Sequence, residues 1–492
     1  MLYNLVECPH RVTMDLFEDR RNRDEVSPFV QLLWERGAIH EKEIIASLDV
    51  PFLDLSAYRG DEKERRTTEA MERGEVLIYG GRIHAFDLLG EPDLLRKEGS
   101  GYVPGDIKSG RGEEGPEDNS KPKIRYAVQL ALYCDILERS GFSSGRRGFI
   151  WDIKGEEFVY DLTAPQGSKD PRTLWSEYES CLTQARAIVV RTVETLPAYS
   201  SGTCKNCYWY TACMNRLVQM DDLTLIPELG RSKRDSMVPH VSTVQDFANS
   251  DPDSFAIGRK TIFPGIGPPT LHKLHRRAIL LATGGGPYLR EPVSLPKADV
   301  ELFFDIEVDP MREVCYLHGF VERRDGDNGR ERYIPFLVET VTAKAEEATF
   351  SDAWHYVQEA QLATIYYYSK YERTIWRKLR EKYPGVCTEE DLEALFDPGR
   401  SVDLYYDVVL RATEWPTRDF SIKTLAGYLG FAWRDAHPSG AASIEMFHRW
   451  VKTGDPEIRQ RILDYNEDDC RATRVLLDGI RGLGSPPGKM PV

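Results

Sequence analysis

Long apolar runs are missing from this chain. No stretch approaches the roughly 18 uncharged apolar residues that a membrane helix needs. The start, MLYNLVECPHRVTMDLFEDR, lacks a basic region followed by an apolar one, so neither a membrane span nor a signal peptide is expected, and the setting is read as cytoplasmic. No G-x-x-x-x-G-K-[ST] occurs, which excludes a built-in Walker A motor. Positive charge is also short: the formal net charge is −15, which argues against a nonspecific nucleic-acid coat over the whole surface. Internal repeats are absent. Nine cysteines in 492 residues are few and, in a cytoplasmic chain, are not expected to be disulfides. Cys134, Cys181, Cys315, Cys387 and Cys470 stand alone in apolar or amphipathic context and read as small buried hydrophobes. What remains is ordinary: 41% apolar residues suffice for globular cores, and the length suggests about two to four domains.

The most informative residues lie towards the end. Phe303-Phe304-Asp305-Ile306-Glu307 is an apolar strand pattern ending in alternating carboxylates, and period two puts Asp305 and Glu307 on one face. Much later, Tyr465-Asn466-Glu467-Asp468-Asp469 puts a tyrosine one helical turn before a carboxylate, on the same helix face. Three carboxylates from a strand and a distant helix, with a hydroxyl beside them, suit two-metal phosphodiester hydrolysis. The arrangement resembles the DEDD exonucleases of the RNase H-like fold, in their tyrosine-bearing subgroup. The resemblance covers residues 291–492 and implies Asp305, Glu307 and Asp469 as metal ligands, with Tyr465 placing the attacking water. In place of the usual second-motif aspartate, ATIYYYSKYERTIWRKL offers Glu372, whose extra methylene a different rotamer absorbs. Asp403, inside the apolar run SVDLYYDVV, is the alternative acid.

Cys204-x2-Cys207-x5-Cys213 places three thiols within one or two turns of chain, one ligand short of a metal centre. Cys8, followed by Pro9, is the candidate fourth; spacing alone admits zinc as well as iron. Between them come His40 on a helix-like stretch, then Asp93 in GEPDLL and Asp106 in GDIK, with Lys108 on the same strand face as Asp106. Two acids can hold a divalent ion while a lysine positions water and offsets developing charge. Gln129 and Tyr133 share a helix face and point to substrate contact. In this order the residues resemble the RecB-like nucleases of the PD-(D/E)xK superfamily, in the iron–sulfur branch that includes CRISPR-associated adaptation nucleases and the AddB-type subunit. The resemblance spans residues 1 to about 220. It implies a [4Fe–4S] cluster on Cys8, Cys204, Cys207 and Cys213, metal ligation by His40, Asp93 and Asp106, and catalysis by Lys108; Asp87 and Glu91 are neighbours set aside.

Residues 226–290 read as helix, loop, the turn Pro264-Gly265-Ile266-Gly267, and a second helix opening on two prolines. A glycine turn before a helix exposes N–H groups to anions, and the segment resembles the helix-hairpin-helix DNA-binding motif. Residues 254–290 contain no Asp or Glu but hold Arg259, Lys260, Lys273, Arg276, Arg277 and Arg290, a basic stripe suited to phosphates. SGRGEEGPEDNSKP (109–122) reads as a loop gating the first site, RRDGDNGRE (323–331) as a hairpin turn, and GLGSPPGKMPV as a disordered tail.

The expected organisation is a multidomain α/β protein: a RecB-type restriction-endonuclease-like core with its iron–sulfur lobe at 1–225, a helix-hairpin-helix segment at 226–290, and an RNase H-like domain at 291–492. As a whole it resembles a family of predicted RecB-like nucleases ending in a YprB-like domain. That implies a Mg²⁺- or Mn²⁺-dependent DNA nuclease acting on single-stranded or end-containing DNA in repair, recombination or CRISPR-related processing. The competing expectation is a nucleic-acid-binding subunit, with one or both modules inactive, that serves a helicase or integrase.

Overall fold

The computed structural model describes residues 1–115, 120–166, 172–435 and 438–484. Part of the expected gating loop (116–119) and of the tail (485–492) therefore lies outside the described residues. The chain divides into two compact units, 1–197 with 202–214, and 198–201 with 215–492. No described helix is long and apolar enough to cross a membrane.

In the first unit a six-stranded mixed sheet runs Leu53–Asp54, Leu77–Tyr79, Leu94–Glu98, Gly101–Ile107, Arg147–Trp151, Glu157–Asp161. Its faces follow the period of two. Leu95, Tyr102 and Ile150 face the helix Ile124–Ser140, while Leu94, Val103 and Phe149 face Ile45. Asp106 shares the parity of Tyr102 and so emerges on the helix side, at the end of its strand. Gly105 must be glycine, because a Cβ there would overlap the Phe149 ring.

In the second unit a five-stranded sheet has the order Asp327–Leu337, Val314–Arg324, Val300–Asp309, Thr364–Tyr367, Ser401–Asp403. The first three strands are antiparallel and the last two run parallel to Val300–Asp309, as an RNase H-like fold requires. The expected hairpin turn is Asp325-Gly326, both at positive φ (54° and 68°), the geometry of a two-residue turn between twisted strands. The central strand VELFFDIEVD is apolar on both faces because both are covered. Leu302, Phe304 and Ile306 pack with Phe350 and Trp376. Phe303 packs on the other side against Leu476, Leu477 and Ile480 of the helix Pro456–Arg481. Asp305 and Glu307 share the parity of Phe303 and so point at that helix. It starts at Asp455, whose side chain accepts from the Glu457 N–H, with Pro456 in the first helical position.

Residues 223–281 belong to the second unit but carry their own apolar cluster, built from Leu223, Met237, Phe247, Leu271 and Leu274. Of the five isolated cysteines, Cys134, Cys315, Cys387 and Cys470 are buried and Cys181 is half-buried.

Candidate nuclease sites

Strand parity and helical spacing converge in the second unit. Ligand oxygens of Asp305, Glu307 and Asp469 lie within 4.8 Å of one another. Burial and then the charge of Asp469 hold the Asp305 carboxyl well above the usual range; burial, then Asp305 and Asp469, do the same to Glu307. Glu372, in the first turn of the helix Tyr371–Lys382, is 4% exposed and its Oε2 has no hydrogen-bond partner. Its carboxyl is likewise raised, by burial first and Asp305 next. Buried carboxylates that repel one another and leave an oxygen unpaired are costly unless a cation joins them. Oxygen donors in this number fit hard divalent cations. Asp403 is engaged otherwise: its Oδ1 accepts from the Ser369, Tyr405 and Tyr406 N–H groups at 3.0–3.1 Å, capping the turn that follows.

Several residues at this site have no motif to mark them. Asn466 donates to Asp305 Oδ2 at 2.8 Å and accepts from Tyr333 OH at 2.9 Å. Gly319, paired opposite Asp305, makes room for it, since a Cβ there would overlap Asn466 Oδ1. Tyr316 OH lies 3.4 Å from Glu307 Oε2 and 2.7 Å from Ser443 Oγ. Trp433 Nε1 donates to Asp469 Oδ1 at 2.7 Å. Lys423 Nζ stands 2.9 Å from Tyr465 OH and 3.2–3.3 Å from both Asp469 oxygens. Arg434 explains the other acids of YNEDD: it binds Glu467 and Asp468, and Asp464 just before them, pinning its loop to the helix. Asn466 lies inside that motif but its role was not read from it; Lys423 and Trp433 sit in a short helix and a loop without pattern.

In the first unit Asp93 and Asp106 interlock. The Asp93 N–H donates to Asp106 Oδ1 at 3.3 Å, and the Ile107 N–H donates to Asp93 Oδ2 at 2.8 Å. Lys108 Nζ pairs with Asp106 Oδ2 at 3.0 Å. Burial, and then the Asp106 charge, push the Asp93 carboxyl up to about 8. Burial works against the Lys108 charge, yet Asp106 and Asp93 raise its pKa. Gln129 Nε2 donates to Tyr133 OH at 2.7 Å, and Tyr133, 4% exposed, packs beneath Gly90. Asp87 is paired with Arg186 and Glu91 with Arg82.

His40 stands on the helix Pro28–Ala46. Its Nε2 meets the Asp152 carbonyl oxygen at 3.0 Å. The neighbouring Glu41, held by Tyr79 OH at 2.8 Å, carries the charge that reaches Asp93. Among the described residues the Asp305, Glu307, Asp469 triad is the one group of three or more metal-ligating side chains this tight. Neither His40 with Asp93 and Asp106 nor the thiols close to that degree.

The four motif cysteines are half-buried. Burial, opposed by the Trp209 N–H and Arg11 and assisted by Cys8, raises the Cys207 thiol, so the sulfurs from the two ends of the unit lie within electrostatic reach. Asp15 accepts from Tyr208 OH at 2.7 Å and Trp209 Nε1 at 2.9 Å, which ties those ends together.

The basic stripe needs correction. Arg277 is 1% exposed and belongs to the core: its Nε donates to Glu414 Oε2 at 2.9 Å, and its other arm pairs with Glu228. Lys273 also pairs with Glu228, at 2.9 Å, and Arg290 with Glu414 at 3.3 Å. Residues 254–290 hold no acids, but the fold brings acids to them from elsewhere. Arg259 and Lys260 remain exposed on a small hairpin. Gly265, at φ 75°, and Gly267, which precedes the helix Pro268–Thr283, form the expected turn. Its anion-binding donors are fewer than expected: Pro268 and Pro269 have no N–H, and that of Ile266 is taken by Phe263 O at 3.2 Å.

Comparison with protein-family models matches residues 10–214 to the PD-(D/E)XK nuclease superfamily and residues 302–480 to the RNase H superfamily. No curated protein and no solved structure matches the chain. Asp93, Asp106 and Lys108 lie within the first matched span, and the carboxylates of the second site within the other. The chain therefore joins a domain of the PD-(D/E)XK nuclease superfamily to a domain of the RNase H superfamily, which makes it a hydrolytic, metal-dependent nuclease.

Proposed function

We propose that the RNase H-like domain is a DNA exonuclease that removes nucleotides from 3′ ends, and that Asp93, Asp106 and Lys108 form a second DNA-cleaving centre. The observation that carries the reading is the closure of Asp305, Glu307 and Asp469 on one another, with the unpartnered oxygen of Glu372 on the same side. Divalent cations, Mg²⁺ or Mn²⁺, would be held by these four acids and would stabilise the attacking and leaving oxygens. Tyr465, kept protonated by burial and by Asp469, is placed to orient the attacking water. Asn466 fixes the Asp305 rotamer. At the first centre Asp93 and Asp106 would hold a cation, while Lys108 neutralises charge developing on the phosphate. Gln129 and Tyr133 support that acid pair from the neighbouring helix.

Cys8, Cys204, Cys207 and Cys213 are assigned to a [4Fe–4S] cluster that closes the first domain. The electrostatic reach of Cys8 to Cys207, from opposite ends of that domain, supports this. Domains at 1–225, 226–290 and 291–492, a cytoplasmic setting, and a role at DNA ends beside a helicase or a CRISPR adaptation partner complete the reading. Arg259 and Lys260, with Arg276, are the residues of the middle segment assigned to phosphates.

Digestion of 5′- and 3′-labelled single strands with Mg²⁺ or Mn²⁺ tests the proposal, using wild type, Asp305→Ala and Asp106→Ala. Stepwise loss from the 3′ end with release of 5′-monophosphates, removed by Asp305→Ala alone, is expected. Equal 3′ digestion by wild type and Asp305→Ala overturns it. For the cluster, anaerobically prepared protein should be brown and Cys207→Ala colourless; colourless wild type with one equivalent of zinc decides against iron.

A further inference from the structure

Lys423 stands among the acids of the second site, yet no ligand role is assigned to it. It is the second residue of the short helix Ile422–Tyr428, whose N-cap Ser421 accepts from the Thr424 N–H. Its Nζ donates to Tyr465 OH at 2.9 Å and reaches both Asp469 oxygens at 3.2 and 3.3 Å. The aromatic faces of Tyr465 and Trp433 lie 5.0 and 5.4 Å from it. Its field reaches Asp305 and Glu307 as well. The lysine side chain is 30% exposed, so the ammonium is held by the site and still open to solvent on one side.

The charge inventory says what such a cation is for. Asp305, Glu307, Asp469 and Glu372 together carry four negative charges when ionised, which two divalent cations would balance. The scissile phosphate then enters uncompensated, and its charge grows as the attacking oxygen bonds to phosphorus and the leaving oxygen departs. An ammonium already beside the water-orienting hydroxyl is in place to meet that charge. Trp433 also holds Asp469, by its indole N–H on Oδ1, so the carboxylate keeps an anchor if the lysine turns to substrate.

We propose that Lys423 is a further catalytic residue of this site: its ammonium binds the scissile phosphate of a nucleic-acid strand, and pairs with Asp469 until that phosphate arrives. This rests on the exonuclease reading of the RNase H-like domain.

The test uses the full-length protein and a short 5′-fluorescein single-stranded DNA. Lys423→Gln should slow single-turnover 3′ digestion about 100-fold at saturating metal and strand, the loss typical of one removed oxyanion donor. Lys423→Arg should recover part of it, because charge rather than shape is needed. In the Asp305→Ala background, fluorescence anisotropy should show that Lys423→Gln weakens strand binding and lowers the salt slope by about 0.7. Calorimetric Mn²⁺ titration of the Lys423→Gln protein should show affinity equal to or tighter than wild type, since a competing cation has left Asp469. Unchanged digestion and binding overturn the proposal. So does slower digestion accompanied by weaker Mn²⁺ binding without rescue by arginine, which would mark a structural role. If wild type and Asp305→Ala digest alike, the exonuclease reading fails, and the strand-binding comparison still decides whether Lys423 meets phosphate.

Discussion

At the first site the lysine belongs to the motif: Lys108 leaves the same strand as Asp106 and pairs with it at 3.0 Å. At the second it comes from outside: Lys423 arrives from a separate helix to meet Asp469 at 3.2 Å. The acids differ as well. Asp93 and Asp106 face one ammonium, whereas Asp305, Glu307 and Asp469 share one and Glu372 adds a fourth acid beside Asp305. The net deficit is thus about one charge at the first centre and about three at the second when all acids ionise. A larger deficit calls for more cationic charge, so the two centres should differ in how strongly they depend on divalent ions.

The largest expected effect separates the two chemistries. Asp305→Ala should cut 3′ digestion by about 1,000-fold or more, equivalent to about 4 kcal/mol of barrier. Asp106→Ala should leave that activity within about twofold. Labelled-strand digestion reads both, and parallel losses in each variant would mean that the two sites act as one.

Next comes the contrast between buried acids that the protein neutralises and those it leaves to a cation. Glu414 is fully buried but faces two arginines, Arg277 at Oε2 and Arg290 at Oε1; Glu372 is nearly as buried, and its Oε2 has no hydrogen-bond partner. Arg277→Ala should cost about 3–5 kcal/mol by leaving the buried Glu414 only its longer pair with Arg290, while Lys273→Gln, at a partly exposed pair, should cost under about 1 kcal/mol. Denaturant unfolding measures both. Similar small costs would return Arg277 to the phosphate-binding stripe.

A third test is the pH response of chelated protein. Asp93, Asp305, Glu307 and Glu372 all have folded-state pKa values above their unfolded ones. Stability from such groups is fully present below the unfolded values near 4 and is lost as pH rises, through about 8 for Asp93. The loss should be on the order of a few kcal/mol for each unit. It should be steeper for the second unit, which has three such acids, and divalent ions should flatten it. Asp93→Asn should flatten only the first unit's curve; a chelated protein equally stable from pH 5 to 8 would contradict the burial argument.

The smallest effect concerns Gly319. Gly319→Ala must push Asn466 off Asp305, costing about 1–3 kcal/mol as an overpacked core position does. It should also weaken 3′ digestion without touching the first site. Unfolding and digestion of the same preparation check this.

Local periodicity carried much of this protein in its sequence. Alternation on a strand put Asp305 beside Glu307 and Asp106 beside Lys108, and helical spacing put Tyr465 beside Asp469, because those relations span two residues or one turn. The two-domain nuclease organisation was legible from the same motifs. Tertiary structure alone decided the rest. Which acid would cancel Arg277 depended on Glu414, far along the chain. That the Glu41 charge reaches Asp93 depended on how the helix Pro28–Ala46 lies against the sheet. Lys423 and Trp433 met Asp469 because Arg434 anchors their segment to the long helix. Spacing within a strand or helix is set by backbone geometry, but pairing across the chain is set by which surfaces bury together, and no local pattern encodes that.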